Sequence, residues 1–158
     1  MLDLGCGSGI IGKKFGNFFK SDVIGVDIND QRIEKIPFRL YDGKKIPFPD
    51  NFFDVVLINY VLHHCHNPKN ILKEAKRVAK GRIIIYEDLP EDFFSGFLCR
   101  CHGAVFSKLF QKNEEKGNFK KEEEWKNIFT ELKLNLEFGK KIIGVPVQKE
   151  VFILKKTT

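Results

Sequence analysis

The stretch Met1-Leu2-Asp3-Leu4-Gly5-Cys6-Gly7-Ser8-Gly9 decides the fold. Leu2 and Leu4 straddle an acid, the alternation of a strand end, and three glycines at every second position then open a helical pattern. Glycine serves where the backbone takes a positive φ or approaches a ligand so closely that a Cβ would clash. A glycine-rich strand-to-helix turn at the edge of a parallel sheet sets backbone N–H groups and a helix N-terminus beside a bound nucleoside. The stretch therefore predicts a nucleotide-type site at the head of an α/β chain.

Outward from it, Ser8 to Phe19 carries Ile10, Ile11, Phe15, Phe18 and Phe19 at helical spacing. Val23 to Asp27 reads as a short buried strand ending in an acid, and Asn29-Asp30 as the cap of a helix over Gln31 to Lys35. Phe38 to Tyr41 predicts a third strand, Phe53 to Tyr60 a fourth, and Arg82 to Tyr86 a fifth. Between the last two, Pro68 starts a helix with Ile71, Leu72, Ala75 and Val78 on one face, and Gly81 caps its end. Strand alternating with helix predicts a Rossmann-like three-layer α/β sandwich, with helices on both faces of a mostly parallel sheet of about seven strands. Beyond residue 88, Phe-rich spacing predicts an amphipathic helix over 91–111, and Trp125, Ile128, Phe129 and Leu132 mark another. Leu134 to Ile142 and Val147 to Leu154 close the chain as an antiparallel pair around Gly144-Val145-Pro146.

One domain fits 158 residues. The net charge of +6 raises nucleic acid or anionic lipid as partners, but only five of the 27 basic residues are Arg and the lysines are scattered. A solvated lysine surface is the favoured reading, because bidentate base and phosphate contacts lean on Arg. Cys6, Cys65, Cys99 and Cys101 form no disulfide framework, no apolar run is long enough to span a bilayer, and a reduced cytoplasmic setting is expected.

The chemistry lies in acids at strand ends. Asp27 comes 18 residues after Gly9, where a carboxylate facing the crevice accepts both hydroxyls of a ribose. Asp42, after the third strand, is placed to accept from an adenine amino group, and Asp3 to hold a cationic amine. This set suits a ligand with ribose, adenine and ammonium, and leaves little for a pyrophosphate. The dinucleotide pattern Gly7-x-Gly9-x-x-Gly12 is present, but Asp27 then follows Gly12 by 15 residues, short of the usual interval of about 20. The clusters His63-His64-Cys65-His66 and Cys99-Arg100-Cys101-His102 lack standard zinc spacing, so no metal is expected.

With these residues the chain resembles the class I S-adenosylmethionine-dependent methyltransferases of the small-molecule type. The resemblance runs through the glycine stretch, Val26-Asp27, Asp42, Ile46-Pro47-Phe48-Pro49-Asp50, Phe53-Asp54-Val55-Val56, Val61-Leu62-His63-His64 and Leu72 to Val78, and covers residues 1–88. It implies S-adenosylmethionine as methyl donor and S-adenosylhomocysteine as product, and the acceptor is expected to be small and hydrophobic. It also implies that Asp3, Gly5, Cys6, Gly7 and Gly9 surround the methionine part and that Asp27 takes the ribose. Ile28 would pack on the adenine, Asp42 and Gly43 would hold its amino edge, and the Asn59 backbone would lie near the methionine amine. His63 and His64 are the candidates for a general base, with Tyr60, Glu87 and Asp88 behind them. Residues 1–88 then form the donor-binding half, 89–133 a helical lid and acceptor region with an apolar cover or peripheral membrane contact, and 134–158 the closing strands.

Two other readings stand beside this one: a non-catalytic donor-binding module, and an RNA methyltransferase suggested by net charge alone. Family members carry a few tens of residues before the glycine motif, whereas Met1 leaves three residues of the first strand. The expectation is an amino-terminally truncated or unusually short domain.

Overall fold

The computed structural model describes residues 1–90, 118–142 and 148–157. In chain order the elements are β1 (Leu2–Leu4), α1 (Ile10–Phe19), β2 (Ile24–Asp27), β3 (Phe38–Leu40), β4 (Phe53–Asn59), a 3-10 turn (Leu62–His64), α2 (Pro68–Val78) and β5 (Ala79–Leu89). They are followed by α3 (Glu122–Glu131), β6 (Leu134–Ile142) and β7 (Gln148–Lys156). The strands form one seven-stranded sheet in the order β3-β2-β1-β4-β5-β7-β6. The first five run parallel, and β7 lies antiparallel between β5 and β6. The predicted Rossmann-like sandwich is therefore observed.

Side-chain alternation sorts the layers. Leu2 and Leu4 pair with Val56 and Ile58 of β4, and all four join Ile83, Ile85, Phe152 and Leu154 in one buried cluster. The helices α2 and α3 cover this face with Leu72, Ala75, Val78, Trp125 and Phe129. Each such large apolar side chain contributes roughly 1.5–3 kcal/mol on burial. Asp3 points the other way, towards α1, where its carboxylate meets Gly12. The strand order reverses at β1, so a crevice opens beyond the C-terminal ends of β1 and β4, the place where open α/β sheets bind ligands.

Three sequence expectations are corrected. No helix forms over Gln31 to Lys35. The amides of Ile33 and Glu34 instead donate to the Ser8 carbonyl at 2.9 and 3.1 Å, the Arg32 guanidinium bonds Asp30 and the Ile36 carbonyl, and Pro37 disfavours helix in the residue before it. Gly81 does not cap α2, which ends at Val78. It lies inside β5, where a Cβ would stand 2.6 Å from the Asp54 carbonyl oxygen. The helix count between the first five strands is also lower than expected, since among the described residues only α1 and α2 connect them as α-helices. The Phe-rich helix expected over 91–111 lies outside the described residues.

The motif segments 46–50 and 72–78 hold each other. Arg77 donates to the carbonyls of Phe48 and Ile46 at 2.8 and 2.9 Å and pairs with Asp50 and Glu74. Glu74 in turn accepts the Ile46 amide at 2.9 Å. Both segments serve the scaffold under β4. At the other end of α2, Asn67 caps the helix by accepting the Asn70 amide, with Pro68 in the first turn as expected.

Candidate active site

The glycine turn is built from backbone. Gly5, Gly7 and Gly9 have φ of 73, 47 and 76°. At Gly5 a Cβ would also collide with the Val61 side chain, so only glycine fits between β1 and the turn after β4. The Gly5 amide donates to the Val26 carbonyl at 2.7 Å, which ties the turn to β2.

Asp27, at the tip of β2, completes it. Its Oδ2 accepts the Gly7 amide at 2.8 Å and its Oδ1 accepts the Ile28 amide at 2.7 Å. A carboxylate offers about four acceptor sites, so capacity remains for a ligand's hydroxyls. Gly5, Gly7, Asp27, Ile28, Asn29 and Gln31 form one end of a cavity of about 540 Å³, Val61 lines it beside Gly5, and Tyr60, His63, Asp88 and Lys149 form the rest of its wall towards β5 and β7. This volume falls within the range of roughly 300–1,000 Å³ usual for small-molecule sites.

Asp42 and Gly43 line a second cavity, with Ile28, His64 and Cys65 shared between the two. Ile28 is 48% exposed there, an apolar surface between Asp27 and Asp42. Asp42 Oδ1 accepts the amides of Lys44 and Lys45, and these bonds hold its carboxyl below the usual carboxylate range. The sequence-predicted set is thus gathered around Ile28, but not all of it faces the cavities. Asp3, Cys6, Gly9 and Asn59 stand behind the lining. Cys6 is buried against Gly25, and burial pushes its thiol up to about 12. Gly9 caps α1 and abuts Ile36, and Asn59 closes β4 opposite Tyr86. Asp3 is 2% exposed, and burial raises its carboxyl to about 6 although the Gly12 amide opposes the shift.

The two histidines differ. His63 is buried, and its Nδ1 lies 2.5 Å from Oε2 of Glu87, whose other oxygen accepts the Leu62 amide at 2.7 Å. Glu87 belongs to the buried row of β5, with Ile83 and Ile85. An acid among apolar neighbours needs partners, and the turn after β4 supplies both of them. The Phe119 ring stacks on His63 with centroids 4.6 Å apart. His64 lies beside it, lining both cavities. Tyr60 precedes this turn at a φ of 55°, a strained value for an aromatic residue, and its amide donates to the Tyr86 carbonyl at 2.9 Å.

Glu87 and His63 are separate candidates in the sequence, and their pairing carries no local signal beyond the alternation of β5 that turns the acid inward. Lys149 has no signal in the sequence, because it reaches the cavity only through the β5–β7 register. Among the described residues, no group of three His, Cys, Asp or Glu side chains is arranged to hold a metal ion. Among them also, no helix is long and apolar enough to cross a membrane.

Comparison with known proteins identifies the family. Residues 2–85 match the family model described as a methyltransferase domain. Protein MJ1123 of Methanocaldococcus jannaschii is 31% identical over 148 residues, 90% of this chain and 64% of that protein. The ubiquinone/menaquinone biosynthesis C-methyltransferase UbiE of Burkholderia mallei is 34% identical over 102 residues, 55% of this chain and 42% of that protein. This chain thus matches less than two thirds of either relative's length. A SAM-dependent methyltransferase structure from Methanosarcina mazei superposes with a TM-score of 0.75 at 18% identity, covering 98% of this chain and 91% of that one. The chain belongs to the methyltransferase domain family, within the class I S-adenosylmethionine-dependent methyltransferases.

Proposed function

We propose that this chain transfers the methyl group of S-adenosylmethionine to a small-molecule acceptor in the cavity between Asp27 and Lys149. The observation that carries the reading is Asp27, held by the Gly7 and Ile28 amides with acceptor capacity to spare at the edge of that cavity. The fit extends to the glycine turn, where side chains are excluded, and to Ile28, which offers an exposed apolar face beside Asp42. When bound, the donor supplies a methyl carbon already activated by its sulfonium.

The chain's residues then bind and orient. Asp27 accepts the ribose hydroxyls, Ile28 packs on the adenine, and Asp42 with Gly43 receives its amino edge. Gly5 and Gly7 let the methionine part approach the backbone. Asp3, Cys6, Gly9 and Asn59 act from behind by fixing the turn and the tip of β4. For an acceptor that must lose a proton, His63 is the base. With Nδ1–H donated to Glu87, its Nε2 carries the free lone pair, and Glu87 keeps the ring in that tautomer. His64, on the shared wall, positions the acceptor. Alignment of nucleophile and methyl carbon supplies the remainder of the rate.

The test is calorimetric titration with S-adenosylhomocysteine, with NAD in parallel, followed by methyl-transfer assays of His63→Asn. S-adenosylhomocysteine should bind and NAD should give no heat. His63→Asn should lower turnover by about 100-fold while leaving product affinity unchanged. Binding of NAD instead would overturn the reading.

A further inference from the structure

Tyr60, Asp88 and Lys149 lie at the end of the cavity away from the donor residues. Asp27 ends β2 and Asp88 lies near the end of β5, three strand spacings apart, or about 14 Å. Asp88 and Lys149 are direct partners in the antiparallel β5–β7 register. Their side chains therefore leave the same face of the sheet from Cα atoms about 5 Å apart. Asp88 Oδ1 is buried and has no hydrogen-bond partner among the described residues. The Lys149 ammonium lies over the Tyr60 ring, 5.2 Å from its centre. Glu87, one residue away, has its carboxylate committed to Leu62 and His63.

A buried carboxylate oxygen without a donor is unfavourable unless a ligand supplies one. A partly buried ammonium against a ring face retains donors for an anion. The two stand side by side in one cavity, opposite in charge and in hydrogen-bonding sense. Tyr60, held at a strained φ, forms the wall behind the ammonium, and burial raises its hydroxyl above the ordinary phenol value against the opposing pull of Lys149.

We infer that Tyr60, Asp88 and Lys149 form the acceptor-recognition subsite and that it takes a small hydroxy- or amino-carboxylic acid. The acceptor's O–H or N–H donates to Asp88 Oδ1 and its carboxylate accepts from Lys149 Nζ. The close spacing of the two Cα atoms selects acceptors whose two polar groups are separated by only a few bonds. The inference rests on the methyl-transfer reading of the cavity and names the acceptor class for it.

The probes are 3-hydroxybenzoate, benzoate and phenol, titrated into the full chain with and without S-adenosylhomocysteine and followed by saturation-transfer NMR. The wild type should bind 3-hydroxybenzoate about ten-fold more tightly than either single-function probe. Lys149→Met should abolish the preference over phenol, and Asp88→Asn should weaken the preference over benzoate. Lys149→Arg, which keeps the charge, should retain the preference, and thermal melts verify that each variant is folded. Equal binding of the three probes to the wild type overturns the subsite, as does a preference that survives Lys149→Met. If S-adenosylhomocysteine fails to bind while the probe preference is present and sensitive to Lys149, the subsite stands and the donor reading falls.

Discussion

The two ends of the cavity are made differently. The donor end comes from one continuous run, Gly5 to Gln31, and most of its geometry is backbone: left-handed glycines and amides aimed at one carboxylate. The far end is assembled from side chains of the turn after β4 and of β5 and β7, brought together across some 90 residues by the sheet. A backbone site is insensitive to most substitutions but intolerant of an added Cβ. A side-chain site can be retuned residue by residue while the sheet stays intact. The donor end is therefore suited to a fixed ligand, and the far end to a variable one.

The largest stability effect should come from the far end. Glu87→Ala removes the partner of both His63 and the Leu62 amide in a dry site, and should destabilise by about 3–5 kcal/mol in chemical denaturation. Glu87→Gln, which keeps an acceptor, should lose markedly less. Equal losses would mean that Glu87 acts by filling space alone.

Asp3 tests the donor end through pH. Its folded-state value of about 6 exceeds the ordinary 3.8, so the folded chain keeps a proton that the unfolded chain releases. Stability should accordingly fall as pH rises from 3.8 to about 6 and level off above, by about 3 kcal/mol in all. Asp3→Asn should remove that slope from a series of melts. An unchanged slope would place the titration elsewhere.

A smaller effect separates two glycines. Gly12→Ala drives a Cβ into the Asp3 carboxylate and should lose about 2 kcal/mol. Gly7→Ala meets open space, and only its positive φ opposes it, at roughly 1–2 kcal/mol. The smallest effect is expected for exposed Asp42→Ala, about 0.5 kcal/mol in stability, because it breaks one surface turn. Its loss of product affinity, about three- to ten-fold, should exceed what that change in stability suggests.

The same division governs what could be read in advance. The strand-turn-helix at the glycines, the β2 acid and the α2 face follow from local spacing, and each is present. The helix expected over Gln31 to Lys35 is absent because its amides are claimed by Ser8, a partner more than 20 residues away. Gly81 reads as a cap by its place after an amphipathic run, yet close approach to the Asp54 carbonyl explains it. Asp3, taken from its spacing as a ligand-facing acid, turns inward, because Leu2 and Leu4 claim the opposite face of a strand whose side chains alternate. The far end was least legible. Lys149 carries no motif, and only the Asp88–Lys149 register reveals it.

The most direct test of the central claim is the affinity of S-adenosylhomocysteine for the wild type, Asp27→Ala and Lys149→Met, measured by calorimetry. The account predicts binding by the wild type, a loss of about 100-fold or more for Asp27→Ala, and unchanged affinity for Lys149→Met. Unchanged affinity in Asp27→Ala, or no binding by a folded wild-type chain, would contradict the assignment of the donor site.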